Sequence, residues 1–351
     1  LTAAAGGAEV QLACQDLEAT LAFFVDDLGF RIETIFPADA PREASLSGHG
    51  LRIRLAPGDG GAGLIRLPRP ESSPRAARET TAPNGTRVLW VDPDPPVDIP
   101  PLAPEWIVAR LGDGPAPGVG RAGMVYRDLI PGRLGGRFIA SHITVPQGGP
   151  LADWVHFHKI RLQLLACRRG WARVVYEDQG PPFVFAAGDV VLQPPRIRHR
   201  VLEASDGFEV VEVSCPALHE TLADHDLILP TDRVAPERDF GGQVFLRHQG
   251  AVAPWRSDPA TGFEVQDTGV SGATGGLARA VVLRPAGRGE ARFRPQGGEL
   301  LFGFLLEGSA VLDVQDGQTL GPGDAFVIPP HAPWGLSGCS PDLALLWVTV
   351  G

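Results

Sequence analysis

A segment that occurs twice in the C-terminal two-thirds of the chain limits the fold most. One copy reads Gly170-Trp171-Ala172-Arg173-Val174, then Gly188-Asp189, Pro194-Pro195 and His199. The other reads Gly308-Ser309-Ala310-Val311-Leu312, then Gly323-Asp324, Pro329-Pro330 and Trp334. The step from Gly-Asp to Pro-Pro, and from Pro-Pro to the last residue, is the same in both. Between these marks apolar and polar residues alternate over short runs split by Gly and Pro, which is the pattern of short β-strands. A chain that repeats such a unit is expected to build two small sandwiches or barrels. The 44 Gly and 34 Pro among 351 residues lie scattered between apolar runs, so they read as the turns of a mainly β protein.

Charge and cysteine usage narrow the function. With 31 basic and 41 acidic residues the formal charge is −10, which argues against nucleic acid or anionic membrane surfaces as partners. No apolar run reaches the roughly 18 residues that cross a bilayer. Cys14, Cys167, Cys215 and Cys339 form no CxxC pair and read as thiols of a reducing compartment. Leu1–Glu9 lacks a basic-then-apolar signal pattern, so a cytoplasmic protein is expected.

Four segments follow from the pattern: 1–58, 59–120, 121–232 and 233–351. In the first, Glu9–Cys14 alternates like a strand and Asp16 can cap a helix over Leu17–Leu28. Leu17, Leu21, Phe24 and Leu28 form one apolar stripe on that helix. Gly29 ends it, and strands follow at Phe30–Phe36 and Leu46–Leu55 with a turn at Gly48-His49-Gly50. Residues 59–120 carry the proline runs Pro68–Pro74 and Pro93–Pro104 and read as a connector holding one strand, Thr86–Val91.

The chemistry concentrates in 121–232. His156 and His158 stand two apart, so on a strand both project from one face. His199 supplies a third imidazole from a second strand, and three imidazoles suit a divalent transition metal. Arg161 and Arg198 are expected to point outward by alternation. Arg137 and His142, on a strand over Arg137–Val145, could reach a barrel mouth, where an arginine would suit a carboxylate. His219 and His225 would be split across the faces of a helix and are not expected to bind a second metal.

These residues resemble the bicupins. Gly149, His156, His158, Gln163 and Gly170 match the first cupin motif, and Gly188, Pro194, Arg196 and His199 the second. The string Asp16-Leu17-Glu18, Phe23-Phe24, Leu28-Gly29-Phe30 resembles the βαβββ module of the glyoxalase/bleomycin-resistance (vicinal oxygen chelate) family, with Glu9 where a ligand often stands. The resemblance implies two cupin (double-stranded β-helix) barrels behind a small α+β module, and a homodimer. It also implies one divalent metal per chain, Fe(II) first, with Zn, Ni or Mn as alternatives. The ligands carried over are His156, His158, His199 and Gln163, the last in place of the usual glutamate. Aligned on Gly308, the second copy has Arg294, Gln296, Leu301 and Trp334 at the corresponding places, so no metal is expected in the second barrel. The implied activity is dioxygenation of a small aromatic or oxygenated acid. A non-redox isomerase or lyase, and a cupin that only binds a small ligand, remain as alternatives.

Overall fold

A computed structural model describes residues 7–60, 62–69, 79–113, 118–120, 123–259, 261–287, 290–314 and 317–351. The chain divides into two compact units, 1–96 and 97–351, and the division falls inside the stretch read as connector.

In the first unit a strand, a helix and three further strands follow in order. Val10–Ala13 lies parallel to Leu51–Ala56, which pairs with Glu43–Gly48 and then Arg31–Phe36. The Asp16 carboxylate accepts the Ala19 amide at 3.0 Å and caps the helix Leu17–Ala22. The stripe seen in the sequence continues into a π-helical turn at Phe23–Asp27, where Phe24 is wholly buried. His49 and Gly50 both have positive φ, the conformation a tight hairpin turn needs. Part of the expected connector belongs here as well: Leu64–Pro68, Arg87–Val91 and Glu79–Thr81 form a three-stranded sheet. Its Leu67 and Val88 pack into the same core as Leu46, Ile53 and Leu55. The proline run from 70 to 74 lies outside the described residues.

In the second unit each barrel consists of a seven-stranded sheet facing a smaller one. Leu162–Arg169 shows how the sequence sets the layers. Leu162, Leu164 and Ala166 enter a core shared with Leu300, Phe302 and Phe304 of the second barrel, while Leu165 and Cys167 line the first barrel's interior. Both faces are therefore buried over most of its length, and apart from Gln163 the strand is apolar from Leu162 to Cys167 although its side chains alternate. The barrels also exchange strands. Ile107–Ala109, which precedes the first barrel, pairs with Ala325–Val327 of the second. Leu246–His248, which precedes the second barrel, pairs with Val190–Leu192 of the first. Arg137 and Arg161 together clamp Glu299, with Arg137 Nη2 at 2.6 Å from its carboxylate.

The repeated glycines have a shared cause. Gly170 and Gly308 both turn with positive φ, +70° and +72°, where the chain passes from the larger sheet of its barrel to the smaller one. A Cβ on Gly170 would strike Ser205 Oγ and come within 3.2 Å of Phe208 Cα.

Candidate metal centre

His156–His158 is a short strand whose neighbours are His199–Ala204 and Thr221–Ala223. Strand register places His156 directly opposite His199. Arg196, with φ 65°, turns the chain after Pro194-Pro195 and donates its amide to the His158 carbonyl at 2.9 Å. That turn carries the following strand back across the first one. One ring nitrogen from each of His156, His158 and His199 then lies within 4.8 Å of the others, and all three residues are buried.

The orientation of each ring is set from behind. Nδ1 of His156 bonds the Trp154 carbonyl at 2.8 Å, and Nδ1 of His199 bonds that of Ile197 at 3.0 Å. Nδ1 of His158 bonds the Glu220 carbonyl at 3.3 Å. A carbonyl only accepts, so each Nδ1 carries the proton and each Nε2 keeps its lone pair. This is the tautomer in which imidazoles bind metals, with the second nitrogen tethered to the backbone.

Gln163 faces the same cavity from the larger sheet and is 2% exposed. Its Nε2 donates to Glu212 Oε1 at 3.0 Å, an oxygen that also accepts from Ser214 Oγ at 2.9 Å. A carboxylate cannot donate, so the amide must present its nitrogen to Glu212. Gln163 Oε1 is left buried with no hydrogen-bond partner. Three lone-pair nitrogens and an orphaned carboxamide oxygen lining one cavity suit a divalent cation, because an unpaired buried acceptor is costly and a cation satisfies it.

Two residues at this centre were not anticipated from the sequence. Glu212 lines the cavity; in Phe208–Cys215 it alternates with Phe208 and Val210 on the inward face, so a carboxylate in an apolar strand was the available signal. His219 packs its ring against His158, with centroids 5.3 Å apart. The helix considered for His219–His225 does not form; the segment contains the strand Thr221–Ala223 beside His156–His158. Gln193 also lines the cavity and donates to the Tyr176 hydroxyl at 2.7 Å. Tyr176 stacks on His199, and burial pushes its phenol pKa up.

The other polar candidates face elsewhere. Arg137 and Arg161 are committed to Glu299, so Arg137 does not enter the barrel mouth. Arg198 pairs with Asp224 at 3.1 Å and lies over the Phe157 ring. His142 bonds Glu209 at 2.9 Å and packs on Phe304 of the second barrel. In the first unit Glu9 is engaged by Arg54 at 2.6 Å and by Ser45, and the Arg54 guanidinium holds its carboxyl below the usual range.

In the second barrel aromatic rings occupy the corresponding space. Trp334 stacks on Phe293 at 3.9 Å, and both meet Trp347. The residue opposite Trp334 is Phe293, which corrects the Arg294 obtained by counting from Gly308. Gln296 keeps the place of His158, since its carbonyl takes the His331 amide as that of His158 takes Arg196. The second barrel therefore fits one extra residue between these two points.

Burial pushes the His158 imidazolium down to about 4; Glu212 opposes the shift, while His156 and His219 add to it. Between pH 6.5 and 4 the unfolded chain takes up a proton that the folded, metal-free protein refuses. Stability is thus full above pH 6.5 and falls as the pH drops through that window, by at most roughly 3 kcal/mol. Urea midpoints of metal-free protein at about pH 7.5 and about pH 5 measure this, and equal midpoints would count against it.

The fold is that of a cupin, with two barrels in one chain and a clustered histidine triad in the first. The sequence matches no protein-family model and no curated protein. Solved structures do match. Protein YlbA from E. coli is 12% identical, with a TM-score of 0.53 over 71% of this chain and 92% of its own. Salicylate 1,2-dioxygenase from Pseudoaminobacter salicylatoxidans (a point mutant in complex with gentisate) is 16% identical. Its TM-score is also 0.53, over 72% of this chain and 83% of its own. At these identities the likeness is one of fold. No helix among the described residues is long and apolar enough to cross a membrane.

Proposed function

We propose that the first barrel is a metal-dependent active site for a small oxygenated molecule, with His156, His158, His199 and Gln163 as the ligand set. The observation that carries this is the group of three buried imidazoles, each tethered through Nδ1 to the backbone, in a cavity that the orphaned Gln163 side chain also lines. A divalent metal bound there would act as a Lewis acid on a chelating oxygen and, as Fe(II), would add reactivity towards dioxygen. The chain's own residues hold and orient. Glu212 fixes the Gln163 amide so that its oxygen is the donor. Tyr176 and the apolar walls exclude water, and His219 stands beside the ligand His158.

Dioxygenation is the first reading, because the ligand set is neutral throughout and the salicylate dioxygenase shares the two-barrel fold. Isomerisation is the second, favoured by Glu212, a proton acceptor that lines the cavity. The test is oxygen uptake by Fe(II)-loaded protein with a panel of catechols and β-diketones. Consumption of oxygen that requires Fe(II) supports the first reading. Product formed at an undiminished rate without oxygen replaces it with the second. Binding without any product removes both.

A further inference from the structure

We infer that the first barrel takes a ligand that carries no charge beyond its two metal-chelating oxygens, the rest of it being neutral and largely apolar. This rests on the metal reading above and narrows the expectation of an oxygenated acid.

The cavity wall carries the argument. Away from the imidazoles it is built from Ile143, Val145, Leu165, Val174, Phe185 and Phe208. Among the described residues that line it there is no Lys or Arg. The nearby arginines that could have served are committed elsewhere: Arg137 and Arg161 to Glu299, Arg198 to Asp224, and Arg168 to Glu209. The carboxylate in the lining is Glu212, which would repel a second anion. A carboxylate lying off the metal would thus be stripped of water against apolar walls with no cation to pair with, and buried charges persist only when paired. A neutral ring or alkyl group in the same place gains from burial. Polar acceptors and donors remain near the ligands, at Gln163, Glu212, Gln193 and Tyr176, so a chelating hydroxyl or carbonyl is provided for.

Two near-isosteric catechols separate the possibilities. 4-Methylcatechol and 3,4-dihydroxybenzoate present the same pair of adjacent phenolic oxygens and differ in a methyl against a carboxylate remote from the metal. The acid's more acidic hydroxyls favour its chelation, so weaker binding of the acid cannot come from the metal-binding end. Each is titrated calorimetrically into Zn(II)-loaded wild-type protein, with metal content measured alongside that of His156→Ala. We expect 4-methylcatechol to bind at least about tenfold more tightly. Glu212→Gln should narrow the gap without closing it, since the walls stay apolar. Equal or tighter binding of the carboxylate by zinc-loaded protein overturns this inference and leaves the metal site standing. Failure of wild-type protein to retain more zinc than His156→Ala overturns the metal reading and this inference with it.

Discussion

His156→Ala is expected to lower metal affinity by more than about 100-fold, because even a residue that only orients a ligand costs roughly 10- to 100-fold when removed. His156 sits opposite His199 in register, and its ring centroid lies 4.2 Å from that of His199, so its loss leaves two imidazoles and an amide oxygen. The fold should persist, since the backbone pairing of His156 with Ala223 and His199 does not depend on the ring. Two measurements check this: metal retained per chain after dialysis against a weak chelator, and the gain in stability on adding metal. For wild-type protein that gain is about 2.7 kcal/mol at a hundredfold excess over Kd, and it should vanish in the variant. Undiminished metal retention by a folded His156→Ala protein would remove His156 from the ligand set.

Phe326→Ala should destabilise the protein by about 3–5 kcal/mol, as deletion of a buried phenyl ring usually does. Phe326 is wholly buried, and its ring covers Gly303, whose missing side chain leaves the room it fills. It also meets Trp334 at 5.7 Å. In the first barrel the position that pairs in the same register as Gly303 is Leu165, a wall of the cavity. Because Leu162, Leu164, Phe302 and Phe304 share one core, the loss should appear in a transition that includes the first barrel. Urea denaturation followed by far-UV circular dichroism gives the magnitude. Metal affinity of the folded variant should stay within a few-fold of wild type. A change below about 1 kcal/mol would mean that the second barrel relaxes around the gap and that its aromatic filling is not what stabilises it.

Much of the centre was legible because the period of a strand is short and strict. His156 and His158 had to share a face, and the spacing from Gly188 through Pro194 to His199 marked the facing strand. Arg161 and Arg198 were correctly expected to face outward for the same reason. What failed was counting across irregularities. The first and second barrels differ by one residue between Phe293 and Gln296, so a count from Gly308 landed on Arg294. The helix-like spacing of His219 and His225 misled because a short extended segment there is stabilised by pairing with His156–His158, a contact that no local pattern announces.

The sequence by itself determined that there are two barrels, which of them gathers histidines, and that a neutral carboxamide stands where a carboxylate is usual. The first two follow from residue type and from spacing within single strands and turns, and the third from the resemblance of those residues to the cupin motif. Only the tertiary structure decided what the carboxamide does. Gln163 and Glu212 lie 49 residues apart, and the pairing of Leu162–Arg169 with Phe208–Cys215 brings them to one face. Once Glu212 takes the amide nitrogen, the oxygen has no other course than to face the buried side without a partner. The tertiary structure likewise decided that Arg137 and Arg161 serve the contact between the barrels and leave the cavity uncharged on its apolar side, since Glu299 comes from the other half of the repeat.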